Sequence, residues 1–262
     1  MTDFYDRLAP FYHLIYPDWD ASIQRQGRAL DAVIHARLGD GAHAVLDVAC
    51  GIGTQTLALA ALGHRVTASD LSPGAVARAR GEAARRGLQA AFSVADMGAA
   101  HTHHGGGWSV VLCADNSLPH LLSDDELVAA LRQFHACTRP GGLCLVSVRD
   151  YAAMPRGPDE VQSYGVREEP GVRYILLQHR AFEGDHYDVT FYIVEDRGSD
   201  TATTHAMRSR YYAVTTDRLL ELMRAAGFSH AERLDDAFFQ PLLVATRADG
   251  AESEHAEEGR NP

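Results

Sequence analysis

The sequence has no run of about 18 apolar residues, which excludes a membrane-spanning helix. Its opening, MTDFYDRLAP, lacks a basic stretch followed by an apolar core, so no secretory leader is expected. No two of the four cysteines (Cys50, Cys113, Cys137, Cys144) stand as Cys-x-x-Cys, and three lie in apolar runs. That argues against a disulfide or zinc framework and predicts small buried thiols in a reducing compartment, the cytoplasm. Positive charge is short: 24 Lys and Arg face 35 Asp and Glu, a net charge of −11. A general nucleic-acid binder is therefore not expected. Part of the acidic excess sits in residues 248–262, ADGAESEHAEEGRNP, which reads as a disordered tail. There is no internal repeat.

The 262 residues present suit one α/β domain with a small insertion. Residues 1–19 are rich in aromatics, and 20–38 carry helical spacing at Ile23, Leu30, Val33, Ile34 and Leu38. Apolar runs at 44–48, 65–69, 90–95, 108–113 and 142–148 then alternate with helical patterns, among them 54–62, 73–86 and 124–137. The alternation predicts a doubly wound, mostly parallel sheet. After residue 150 the rhythm changes. VRYILLQHRAF, HYDVTFYIVED and HAMRSRYYAVT read as three strands of an antiparallel insertion. TTDRLLELMRAAGF reads as a helix with Thr216 near its cap and Gly227 past its end, and FFQPLLVATR as the last strand.

The stretch VLDVACGIGT, Val45 to Thr54, poses the functional question. One reading is a bare strand-to-helix turn without a ligand. A dinucleotide fingerprint needs a third glycine where Thr56 stands, so that match fails. A site for S-adenosylmethionine accounts for more residues. Asp47 ends the first strand, and Gly51 and Gly53 let the backbone approach a ligand. Asp70 ends the second strand, where an acid can accept hydrogen bonds from two ribose hydroxyls. Asp96 and Met97 follow the third strand, placed for the adenine amino group and ring. The fourth strand runs into Asn116. All four points are carboxyl ends of strands, where open α/β sheets bind ligands.

This pattern resembles the class I S-adenosylmethionine-dependent methyltransferases, over residues 40–150 by motif. NSLPHL (116–121), RPGGLCLVSVRDY (139–151) and MRSRYY (207–212) are similar to segments of the glycine and sarcosine N-methyltransferases. The resemblance implies a helical cap at 1–38, a cofactor-binding core at 39–150, an antiparallel lid over the substrate at 151–214 and the end of the core at 215–247. It implies cofactor contacts from Tyr12, Asp47, Gly51, Gly53, Asp70, Leu71, Asp96, Met97 and Cys113. On the acceptor side it implies Tyr16, Asn116, His120, Arg149, Tyr151 and Tyr211, with Asn116 and Arg149 on a carboxylate and Tyr211 offering a hydroxyl. The opening YDRLAPFYHLIYPDW departs from that family and looks closer to bacterial small-molecule and sugar-amine N-methyltransferases. By that pattern Tyr12 lies against a sulfonium, which suits an aromatic face; a core-packing role is the other reading.

An arginine ending an apolar strand needs a partner, because an unpaired buried charge is costly. For Arg149 that is a bidentate carboxylate or an internal acid such as Asp150 or Glu168. His120 is a base for an alcohol acceptor or a cap on the helix starting near Ser123. HTHHGGGW (101–108) reads as glycine-rich loop without a ligand set, so no metal is expected. The reading is an S-adenosylmethionine-dependent methyltransferase of a small-molecule amine, glycine-like or an amino sugar. Small-molecule O-methylation and an inactive cofactor-binding protein are the alternatives. The partner is a small molecule, not nucleic acid or membrane, and a homo-oligomer is left open.

Overall fold

The computed structural model describes residues 2–249. Two helices, α1 (Thr2–Leu8) and α2 (Trp19–Leu38), precede the first strand. Strands β1 (Ala44–Asp47), β2 (Arg65–Asp70), β3 (Ala90–Val94), β4 (Trp108–Cys113) and β5 (Thr138–Ser147) then alternate with α3 (Thr54–Ala61), α4 (Pro73–Arg85), α5 (Ala100–His104) and α6 (Asp124–Cys137). Four more strands follow, β6 (Glu160–Glu169), β7 (Val172–Glu183), β8 (His186–Asp196) and β9 (Thr203–Tyr212). The chain closes with α7 (Thr216–Ala225), β10 (His230–Leu234) and β11 (Leu242–Thr246).

The main sheet has seven strands in the order β10-β11-β5-β4-β1-β2-β3. β1 to β5 are parallel, and β11 runs antiparallel to both β5 and β10. Strand order reverses between β1 and β4, which opens a crevice at their carboxyl ends. Alternate residues of β1 and β4 feed two cores. Leu46, Val111 and Cys113 pack on α6 and α7, whereas Val45, Val110 and Leu112 pack on α2. All four cysteines are buried and unpaired. No described helix is long and apolar enough to cross a membrane.

Local chemistry fixes the helix starts. Ser72 caps α4 by accepting from Ala75 N, with Pro73 at the first helical position. Ser123 caps α6 by accepting from Glu126 N, and the Glu126 carboxylate accepts from Leu122 N just before the cap. α7 is capped by Thr215, one residue before the expected Thr216.

The second sheet has four strands, β6-β7-β8-β9, rather than three. β6 was missed because EVQSYGVREE is polar on both sides and six of its ten residues face solvent. β10 was missed for its mixed charge. The 101–104 histidines stand on the short helix α5, not in loop. Of the acidic tail, residues 250–262 lie outside the described residues.

α2 crosses α3 closely at Gly27, where an added Cβ would lie 2.5 Å from Ala58 Cβ. Overpacking there costs about 1–3 kcal/mol, against a helix-propensity gain of about 1 kcal/mol for alanine. Gly27→Ala should therefore lower the urea-unfolding free energy, by up to about 2 kcal/mol on that difference. A stabilised variant would contradict this packing.

Candidate active site

The turn after β1 is tied down from both sides. Gly51 and Gly53 have φ of +53° and +94°, a region that glycine enters at little cost. Gly51 N donates to Asp70 Oδ2 at 2.8 Å, and Ser72 N donates to Asp70 Oδ1 at 2.9 Å. Asp70 thus joins the glycine turn to the end of β2 and keeps further lone pairs for a ligand. Burial raises its pKa, and the backbone donors oppose that. Tyr12 lies over the turn, 3.4 Å from where a Gly51 Cβ would stand. α1 closes the same side, since Asp6 accepts from Ser72 Oγ and Gly74 N.

The end of β4 is more constrained. Asp115 and Asn116 have φ of +54° and +63°, two consecutive non-glycine residues in the left-handed region. Asp and Asn tolerate that region best, but such residues persist only where neighbours hold them. Asp115 N donates to Ser147 Oγ at 2.8 Å and Asn116 N to Ser147 O at 2.9 Å. Asn116 Oδ1 then accepts from Arg149 N at 3.0 Å and Tyr151 Oη at 2.9 Å. Because Tyr151 spends its proton on Asn116, Tyr187 Oη donates to Tyr151 Oη, 2.9 Å away. This chain leaves Nδ2 as the free end of the Asn116 amide. Asp115 Oδ2 accepts from Tyr16 Oη at 2.9 Å.

Arg149 follows β5, half-buried and ringed by Tyr187, Tyr164, Tyr151 and Tyr211. The internal ion pairs considered for it do not form: Asp150 binds Arg233 at 2.8 Å, and Glu168 binds Arg173 at 3.4 Å. Among the described residues no side chain pairs with its guanidinium. His120 does not cap α6. Its Nε2 lies 2.6 Å from Tyr5 Oη and its Nδ1 3.3 Å from Ser209 Oγ. Burial, helped by the positive charge of Arg149, pushes its pKa down to about 3.

Between these two walls lies a cavity of about 840 Å³, open mouth included. It is lined by Tyr12, Gly51, Asp70, Leu71, Asp96 and Met97, and on the far side by Tyr16, Asp115 and His120. That is within the ordinary size of a small-molecule site.

A methyltransferase-domain family model matches residues 45–142. The glycine/sarcosine N-methyltransferase of Parasynechococcus marenigrum (strain WH8102) is 30% identical over 161 residues, 62% of this chain and 53% of that protein. The chain thus spans about half the length of the first such relatives. A dTDP-3-amino-3,6-dideoxy-alpha-D-glucopyranose N,N-dimethyltransferase from Streptomyces fradiae is 29% identical over 230 residues, 87% of this chain and 86% of that one. In fold, Streptomyces venezuelae DesVI superposes with a TM-score of 0.79 at 21% identity, over 92% of this chain and 98% of that one. Residues 45–142 thus match a methyltransferase domain, and the fold is that of the solved methyltransferases. The solved amino pentose methyltransferase of Micromonospora echinaspora, with S-adenosylmethionine bound, shares the fold (TM-score 0.73, 20% identity, 87% and 92% coverage).

Not every residue expected at the site lines the cavity. Asp47 is buried at 1% exposure beneath the turn and accepts from Thr56 Oγ1 at 2.7 Å and Ala49 N at 3.3 Å. Gly53 serves the start of α3, where a Cβ would crowd Ala79 and Leu57 at 3.3 Å. Cys113 is a core residue, and Tyr151 supports Asn116 from full burial. Tyr5, Asp115 and Tyr187 were missed. Only Asp115 had a signal, as a second polar residue at the end of β4.

Two histidine groups lie elsewhere. His103 and His104 bond Ser93 and Ser69, each at 3.0 Å. Asp31, His35 and His64 converge at the amino ends of the strands, opposite the cavity. His64 Nδ1 accepts from His43 N at 3.1 Å, so its Nε2 carries the proton donated to Asp31 at 2.9 Å. That nitrogen has no lone pair to offer a metal in this arrangement.

Burial raises the Asp47 pKa to about 7, above an ordinary value near 3.9. The native state then keeps a proton that the unfolded chain releases above about pH 4. Asp47's contribution to stability is whole below about pH 4 and is lost as pH rises to about 7. The unfolding free energy of wild type minus that of Asp47→Asn should fall across this window and stay flat above it. A difference independent of pH would contradict a protonated Asp47.

Proposed function

We propose that the protein methylates the amine of a small molecule held by an anionic group on Arg149. The observation that carries this reading is the Arg149 guanidinium itself, which bears on the Asp115 carboxyl in the cavity wall yet makes no ion pair among the described residues. A planar fork without an internal ion pair suits a bidentate anion. The glycine/sarcosine and amino-sugar N-methyltransferases among the relatives support an amine acceptor.

In this reading Asp70 holds the ribose hydroxyls, Asp96 and Met97 the adenine, and Gly51 and Leu71 pack along the cofactor. Tyr12 faces the sulfonium. When bound, S-adenosylmethionine supplies a methyl group that an amine lone pair takes in line as the carbon–sulfur bond breaks. The chain's part is positioning, worth about 7–11 kcal/mol at most. Arg149 anchors the acceptor, and Asn116 Nδ2 and the Tyr211 hydroxyl orient the amine. Tyr16 is fixed by Asp115 as part of the acceptor wall. His120, pushed down to about 3, is too weak a base to take a proton from an alcohol at neutral pH. That favours a neutral amine over O-methylation. The acidic balance opposes nucleic acid as partner, and four unpaired buried cysteines suit the cytoplasm.

Arg149→Ala should raise the acceptor KM by about tenfold or more, the worth of a charged hydrogen bond. It should leave S-adenosylhomocysteine affinity unchanged, and Asp70→Ala should do the reverse. Calorimetry and initial rates separate the two effects. An unchanged acceptor KM in Arg149→Ala would remove the anchor from the account.

A further inference from the structure

Methyl transfer to an amine needs a nitrogen lone pair, and at neutral pH an alkyl amine has none to give. With a basicity near that of lysine, fewer than about one such amine in a thousand is neutral at about pH 7. The acceptor therefore arrives as an ammonium, and a cavity group that takes its proton would raise the rate. His120 is too weak a base for that. Among the described residues three acids line the cavity, Asp70, Asp96 and Asp115. Asp70 holds the glycine turn and Ser72, and Asp96 caps the turn after β3 through Gly98 N at 2.8 Å. Asp115 alone follows β4, on the wall shared with Tyr16 and His120.

The Asp115 carboxylate is held from several elements. Tyr16 Oη donates to Oδ2 at 2.9 Å and Gln240 Nε2 to Oδ1 at 3.3 Å. Ser147 Oγ accepts from Asp115 N and donates to Gln240 Oε1 at 3.3 Å. One hydroxyl thus fixes both the backbone of Asp115 and the amide that orients its carboxylate. Each carboxylate oxygen has one protein donor and keeps a further lone pair for a ligand. The left-handed backbone is strain the chain retains, and such strain clusters at functional sites. Burial raises the Asp115 pKa, opposed by the Tyr16 donor, the Arg149 charge and the Gln240 donor. Tyr5 and Tyr12 face it from α1 and the segment that follows, and both hydroxyls feel its charge. The result is a carboxylate in the cavity wall that is more basic than an exposed one.

An ammonium set against this carboxylate has left water behind. In such surroundings a charged pair is disfavoured, and moving the proton across neutralises both partners. Where Tyr12 faces a sulfonium, an ammonium nearby is further disfavoured by like charge. We infer that Asp115 takes a proton from the acceptor's ammonium and so frees the lone pair that attacks the methyl carbon. A nitrogen–hydrogen bond breaks as an oxygen–hydrogen bond forms on Asp115, and its electron pair stays on nitrogen. That pair bonds the methyl carbon as the carbon leaves sulfur with the carbon–sulfur electrons, giving a neutral thioether and a methylated ammonium. Asp115 returns its proton to water when the products leave. This rests on the amine-methylation reading above and adds the group that prepares its nucleophile.

The test is the pH profile of kcat/KM for wild type and Asp115→Asn, with glycine, sarcosine and an amino sugar on a nucleoside diphosphate as acceptors. Asparagine tolerates the left-handed region as aspartate does and can accept from Tyr16, so the substitution removes the base and little else. The wild-type profile should be level between the pKa of Asp115 and that of the amine, because carboxylate and ammonium together carry one proton throughout. Asp115→Asn should fall about a hundredfold or more at about pH 7, the worth of a general base. Its rate should then climb about tenfold per pH unit and approach wild type at the pKa of the amine, where the lone pair comes free unaided. S-adenosylhomocysteine affinity by calorimetry should be unchanged. Three results each overturn the inference: a loss of the same factor at every pH, a variant as active as wild type at about pH 7, or a loss of S-adenosylhomocysteine affinity that matches the loss in rate. Each leaves the amine reading standing, since wild type still turns over an amine. If wild type binds S-adenosylhomocysteine but methylates none of the three amines, the amine reading falls and this inference with it.

Discussion

The acceptor side of this molecule depends on the side-chain carbonyl of Asn116. It takes one hydrogen bond from the backbone of Arg149 and one from the hydroxyl of Tyr151. It thereby joins the ends of β4 and β5 to the second sheet through Tyr187. The backbone there adopts two successive left-handed conformations, which cost of order 1–3 kcal/mol each and need compensation. Ser147 supplies it, holding Asp115 with its hydroxyl and Asn116 with its carbonyl. A strained pair so fixed presents Asp115 to the cavity, while the chain beyond β5 sets Arg149 where it bears on that carboxyl.

Charge is arranged by the same economy. Asp47 and Asp70 are enclosed on the cofactor side, and burial raises both. His120 is held neutral in a stack of rings, 4.1 Å from Tyr211 and 5.3 Å from Tyr5 between centroids. Arg149 stands on the acceptor side.

The cofactor side was legible in the sequence because each of its signals is local. A strand end followed by an acid or a glycine turn fixes its own place at the carboxyl edge of a parallel sheet. The exceptions are instructive. Asp47 and Gly53 belong to the same turn, yet one holds it from beneath and the other starts a helix. Cys113 points into the core by strand alternation. The acceptor side was legible only in part. Arg149 and Asn116 could be named, but not the absence of an ion pair for Arg149, which depends on Asp150 and Glu168 finding other arginines. Tyr5 reaches His120 across 115 positions. Gln162 and Tyr164 come from β6, which was too polar to stand out in the sequence. Those contacts are set by long-range pairing, which no local period encodes.

The most direct test of the central claim is release of S-adenosylhomocysteine by the purified protein against a panel of glycine, sarcosine, dimethylglycine, amino sugars free and linked to a nucleoside diphosphate, and simple phenols. The account predicts turnover with an amine that bears an anionic group, and none with phenols. Turnover confined to phenols, or none with any amine while S-adenosylmethionine binds, would contradict it.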